Sequence, residues 1–90
     1  MPQAQADPDE MERFARTLKQ FASDLGNRTS ALKQQFAQLG STWRDQEYVR
    51  YAQEFQQTTA MLERIMRKAE AEATFLQKKA NVLRQFLNQR

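Results

Sequence analysis

Few side chains here are of the types that catalysis or metal binding demands. Cysteine and histidine are both absent, which removes thiol nucleophiles, disulfides, the commonest metal ligand and the commonest acid–base group. The carboxylates come with bases at helical spacing. Glu12 precedes Arg16, and Glu63 precedes Arg67, by four residues, the pattern of solvated surface ion pairs rather than of a carboxyl held protonated in a pocket. No catalytic residue, metal site or cofactor is therefore assigned, and the chain reads as a non-enzyme. What remains is the chemistry of apolar contact. Trp43 is the only tryptophan, and it stands beside a glycine where helical periodicity lapses. Phe75, Val82 and Phe86 lie off the main apolar stripe, interleaved with Arg64, Lys68, Lys78 and Lys79. Trp43 fits first a core plug at the open end of a hairpin, and second a recognition residue for a partner groove, while the off-stripe aromatics suit contact with a partner.

Two elements must position these residues. The chain has 90 residues with two glycines, two prolines and 28% charge, too little turn material for a small β-fold. Apolar residues at 11, 14, 18, 21, 25, 32, 36 and 39 follow helical spacing and predict a first helix over residues 9–39. Asp7 and Pro8 open it, with residues 1–8 read as a disordered arm. Gly26-Asn27 is its weakest point and a place for a kink, because glycine costs about 1 kcal/mol relative to alanine there. A second stripe runs Tyr48, Tyr51, Phe55, Thr58, Leu62, Ile65, Ala69, Ala73, Leu76, Ala80, Leu83 and Leu87, predicting a helix over residues 45–88. Between them, residues 40–44 form the turn. Gly40 is expected in the left-handed conformation that ends a helix, and Thr42 or Asp45 caps the next one.

Two amphipathic helices joined by so short a turn make an antiparallel hairpin. The expected core is Leu18, Phe21, Leu25, Leu32, Phe36 and Leu39 against Tyr48, Tyr51, Phe55, Leu62, Ile65 and Leu76. At 1.5 Å per residue the helices would be roughly 46 and 65 Å long, so the second overhangs the first from about Leu76. The acidic start (Asp7, Asp9, Glu10, Glu12) then lies beside the basic end near Lys78 and Lys79. Such pairs select orientation more than they stabilise.

The segment Leu39-Gly40-Ser41-Thr42-Trp43-Arg44-Asp45-Gln46-Glu47-Tyr48-Val49-Arg50-Tyr51-Ala52-Gln53-Glu54-Phe55 resembles the centre of the WXG family, helical hairpins associated with type VII secretion. That family has Trp-x-Gly at the turn, with aromatic or apolar residues five, eight and twelve positions beyond the tryptophan. Here those are Tyr48, Tyr51 and Phe55. The turn motif is thus Gly40, Trp43 and Asp45, with Asp45 in the place of the family's glycine. The family's export signal, a tyrosine followed four residues on by an acid, is absent: Ala52 follows Tyr48, Phe55 follows Tyr51, and no tyrosine lies beyond.

The resemblance implies a non-enzymatic interaction module whose hairpins pair into a four-helix bundle. The partner would be a second copy or a similar hairpin, with secretion machinery or a toxin as a further partner. Phe75, Val82 and Phe86 are the expected oligomer interface. Apolar runs are two or three residues long, so no transmembrane segment and no signal peptide are expected. The expected location is the cytoplasm, with any export by a route that needs no signal peptide. Two other readings stand beside this one. One is a structural coiled coil unrelated to secretion. The other is a basic amphipathic binder of anionic surfaces, compatible with a net charge of +3, although no nucleic-acid motif is present.

Overall fold

The computed structural model describes residues 6–88, which form two helices and nothing else. Helix α1 spans Pro8–Leu39 and helix α2 spans Gln46–Asn88. Asp7 caps α1, its carboxylate accepting from the Asp9 amide at 2.9 Å, and Pro8 takes the first turn, where its missing N–H costs nothing. Pro8 therefore belongs to the helix rather than to an arm. The rest of the expected arm, residues 1–5, lies outside the described residues, as do residues 89–90. At the other end of the hairpin, the Asp45 carboxylate accepts from the Tyr48 amide at 3.1 Å. Asp45 is thus the cap of α2 and not its first residue, and the turn occupies residues 40–45.

Both glycines make room for a side chain of α2. Helix α1 runs unbroken through Gly26. The glycine is there for proximity: a Cβ on it would stand 2.7 Å from the Met66 sulfur, so α2 passes close by. Gly40 is right-handed, at φ −64° and ψ −15°. Its missing side chain leaves room for Tyr48, whose hydroxyl oxygen would lie 2.5 Å from a Cβ there. The polypeptide leaves α1 through hydrogen bonds from Ser41, Thr42 and Trp43 amides to the last carbonyls of α1, which satisfy those orphan acceptors without a left-handed residue.

The register also differs from expectation. Phe36 stacks on Phe55, Gly26 faces Met66, and Arg84 reaches Asp9. The acidic start of α1 therefore meets Arg84 rather than Lys78 and Lys79, and α1 covers α2 well past Leu76. The excess length of α2 is divided between the two ends, because the turn climbs beside the first turns of α2 instead of doubling back at its tip.

The result is a rod of 69 × 20 × 15 Å, one helix thick. Its Cα radius of gyration is 20.2 Å, against about 12 Å for a globular domain of this length. A single layer of two helices has a seam but no interior. Only small residues are buried in it: Ala15, Ala22 and Thr29 on α1, and Thr59, Ala69, Ala73 and Ala80 on α2. This corrects the expected core. Leu18, Leu25, Phe36, Tyr48, Phe55, Leu62 and Leu76 are half-buried, whereas Phe21, Leu32, Leu39, Tyr51 and Ile65 are exposed. Alanines let the two backbones approach closely, and that closeness squeezes the larger side chains out to the flanks.

Candidate interaction face

The seam fixes what each flank carries. On α1 it follows Ala15, Ala22, Thr29 and Phe36, and on α2 Ala52, Thr59, Met66, Ala73 and Ala80, every seventh residue in each case. In an antiparallel pair, equal offsets from the seam fall on the same side of both helices. Three residues beyond the seam lie Leu18, Leu25, Leu32 and Leu39 on α1, and Phe55, Leu62, Ala69, Leu76 and Leu83 on α2. One residue before it, further out on the same side, stand Phe14 and Phe21, with Tyr51, Ile65 and Phe86 opposite. This leucine flank is continuous along the rod. It is also open: Phe14 is 57% exposed, Phe21 52% and Ile65 46%.

Four residues beyond the seam the composition changes completely. Here are Glu12, Lys19, Gly26 and Lys33 on α1, and Glu63, Glu70, Gln77 and Arg84 on α2. Lys33 donates to Glu63 at 2.6 Å across the seam. Arg84 bonds Asp9 at 2.9 Å and also Glu12. The hydrogen bond from Arg84 holds the Asp9 carboxyl below its ordinary value, and the one from Lys33 does the same for Glu63. The Arg84 guanidinium is pushed up by the same bonds, first from Asp9 and then from Glu12. Carboxyls held ionised by neighbouring cations suit a structural clasp, not proton donation.

At the turn end the two flanks are joined by aromatics. Phe36 packs on Phe55 at 4.4 Å and on Tyr48 at 5.3 Å between ring centroids. Trp43 meets Tyr48 edge-on at 5.5 Å and lies over Tyr51 at 6.3 Å. Trp43 is half-buried, so one face plugs the hairpin and the other borders a groove of about 680 Å³. Glu47, Arg50, Tyr51 and Glu54 line that groove with it. Gly40, Trp43 and Asp45 thus all act at the turn, as a clearance for Tyr48, a plug and a helix cap.

Phe75, Val82 and Phe86 are each more than 60% exposed. Phe86 belongs to the outer edge of the leucine flank. Phe75 and Val82, two residues beyond the seam, continue that edge around the back of α2 together with Met61. Phe14 and Met61 are face residues that the sequence reading left out of its candidates. Their signal was present, since Phe14 precedes Phe21, and Met61 precedes Phe75 and Val82, by multiples of seven. Among the described residues no cluster of carboxylates is placed to hold a metal ion, and no helix is long and apolar enough to cross a membrane.

Comparison with known proteins agrees with this geometry. A model of the WXG100 family, described as proteins of 100 residues with WXG, matches residues 3–86. No curated protein matches the chain. The crystal structure of a secreted protein, ESXB from Bacillus anthracis str. Sterne, matches with a TM-score of 0.82. The two are 22% identical, and the match covers 96% of this chain and 98% of that one. At that identity the likeness shows a shared fold.

Proposed function

The chain belongs to the WXG100 family, small helical hairpins associated with type VII secretion, and from that premise we propose that it acts as a non-enzymatic pairing module. Its leucine flank closes against the equivalent flank of another hairpin, giving a four-helix bundle. The protein is made in the cytoplasm, and it reaches secretion machinery or a larger partner as this bundle rather than as a lone hairpin.

One observation carries the reading: a continuous row of large apolar side chains, Phe14, Phe21, Leu32, Leu39, Tyr51 and Ile65 among them, lies along one side of the rod and is uncovered there. The accessible surface is 7219 Å², against about 5,500 Å² for a compact protein of this mass. Burying each large side chain of the flank contributes roughly 1.5–3 kcal/mol. A few of them suffice for micromolar association after the entropy of docking is deducted. The interface expected at Phe75, Val82 and Phe86 becomes, in this reading, the outer edge of a wider one that includes Phe14, Phe21, Leu32 and Ile65.

The test is the mass in solution at tens of micromolar. The unmutated chain should weigh twice its 10.6 kDa, and Phe14→Asp with Phe21→Asp should return it to monomer mass. Both residues lie off the buried seam, so part of the helicity should survive in the variant. An unmutated chain that sediments as a monomer would refute the proposal.

A further inference from the structure

We propose that the back of α2, from Met61 to Gln85, docks a third helix: an acidic amphipathic helix of a protein partner. This face lies opposite the seam that α1 occupies and outside the leucine flank, so it does not depend on the pairing reading above.

Helix α2 carries a second heptad pattern besides its seam. Met61, Lys68, Phe75 and Val82 stand two residues beyond successive seam positions, and Arg64, Ala71, Lys78 and Gln85 stand five beyond. The two rows lie about 150° from the seam on either side, so together they face directly away from α1. Steps between them alternate threes and fours over about 36 Å, the spacing that receives another helix. All of these residues are exposed, with Phe75 at 63%, Val82 at 61% and Met61 at 53%. A partner on the leucine flank reaches only the near edge of Phe75 and Val82. The corresponding rows of α1 are ordinary solvated surface. Thr17, Gln20, Asp24, Asn27 and Gln34 line them, and nothing apolar there is larger than Ala31.

Charge names the occupant. Arg64, Lys68 and Lys78 are spaced through the two rows of α2, and no acid stands in those rows between Met61 and Gln85. Lys68 reaches Glu72 at 3.2 Å along its own helix, whereas Arg64 and Lys78 make no ion pair among the described residues. A helix that adsorbs to lipid keeps its apolar face unbroken and sets its cations along the margins. Here the cations alternate with Met61, Ala71, Phe75 and Val82 in the middle of the face, where acyl chains would bury them. A helix with carboxylates at matching heptad positions pairs those cations while its own apolar residues cover Phe75 and Val82. Ala71, at the centre, lets the incoming backbone approach closely, as the seam alanines do for α1.

The probe is a fluorescein-labelled synthetic helix of three heptads, with leucine at the a positions, glutamate at d and e, and alanine or glutamine elsewhere. A control peptide has lysine wherever the first has glutamate. Fluorescence anisotropy at physiological salt should show micromolar binding of the acidic peptide to the full chain, and binding of the lysine peptide at least about tenfold weaker. Phe75→Ser with Val82→Ser should weaken the acidic peptide by a similar factor. Arg64→Glu with Lys78→Glu should reverse the preference between the two peptides. The chain with Phe14→Asp and Phe21→Asp, whose pairing face is broken, should still bind the acidic peptide, so the two readings fail separately. Loss of binding in that chain would place the peptide on the leucine flank and overturn the proposal. No binding of the acidic peptide, or binding that the α2 substitutions leave intact, would overturn it too. Saturable binding to phosphatidylglycerol vesicles in place of the peptide would give the face to lipid, with the same consequence.

Discussion

The two flanks of the hairpin differ in what they leave unfinished. On the charged flank, Lys33 meets Glu63 and Arg84 meets Asp9 and Glu12, so these five charged groups find partners within the chain. On the leucine flank, Phe14, Phe21, Leu32 and Ile65 face outward with nothing over them. Both flanks are built by the same two helices over the same alanine seam. Under the proposed pairing, this contrast means that the chain encodes half of a core. Small residues bring its own helices together, and large ones are left uncovered on one flank. A bundle that kept the large residues in its own seam would stand alone and have nothing to offer a partner.

The contrast breaks most readily on the leucine flank. Leu25→Asp with Ile65→Asp puts two uncompensated charges into the proposed interface, where each costs several kcal/mol. Association measured by sedimentation should weaken by at least about a hundredfold. A smaller loss is expected where the flanks meet at the turn. Gly40→Val drives Tyr48 off its place beside Phe36, and overpacking of this kind costs about 1–3 kcal/mol, read as a lower thermal midpoint. Gly26→Ala sharpens the point. Its new methyl meets only the flexible end of Met66, and the gain in helix propensity offsets the contact, so the midpoint should barely move.

The charged flank should show the smallest effects. Lys33→Ala and Arg84→Ala remove exposed ion pairs, and each should lower the midpoint less than Gly40→Val does, by an amount that shrinks as salt rises. The pH dependence has a defined sign. Asp9 and Glu63 are held below their ordinary values in the folded chain, so protonating them favours unfolding. Their stabilisation is complete above the range in which free carboxyls titrate, and it is lost as pH falls through the lowered folded values. The thermal midpoint followed by circular dichroism should therefore drop by more between pH 7 and acid pH in the unmutated protein than in Lys33→Ala with Arg84→Ala, because only the unmutated chain has that stabilisation to lose.

The hairpin and its turn were legible because helical period and turn chemistry are local. Asp45 reads as a cap from its own side chain, and the tryptophan with aromatics at 48, 51 and 55 carries the family likeness. The division of labour across the seam was harder to read, since one helix alone shows an apolar stripe without saying which part of it the other helix occupies. Leucine and phenylalanine therefore looked like core, whereas Ala15, Ala22 and Thr29, which occupy the seam, drew no notice as a heptad. Gly26 and Gly40 were read through backbone conformation, although what they provide is clearance for Met66 and Tyr48. The register escaped for a related reason. Helix lengths fix the total overhang but not its division between the ends, which depends on how the turn packs.

Leu32 and Lys33 are sequence neighbours on opposite flanks, and in the lone hairpin they are comparably open: Leu32 is 42% exposed and the Lys33 side chain 47%. The most direct test compares the rates at which a thiol reagent labels Leu32→Cys and Lys33→Cys, each the only cysteine in its chain. If a partner covers the leucine flank, position 32 should react at least about tenfold more slowly than position 33 at tens of micromolar protein, and dilution or denaturant should abolish the difference. Equal rates in the native protein at that concentration would contradict the account.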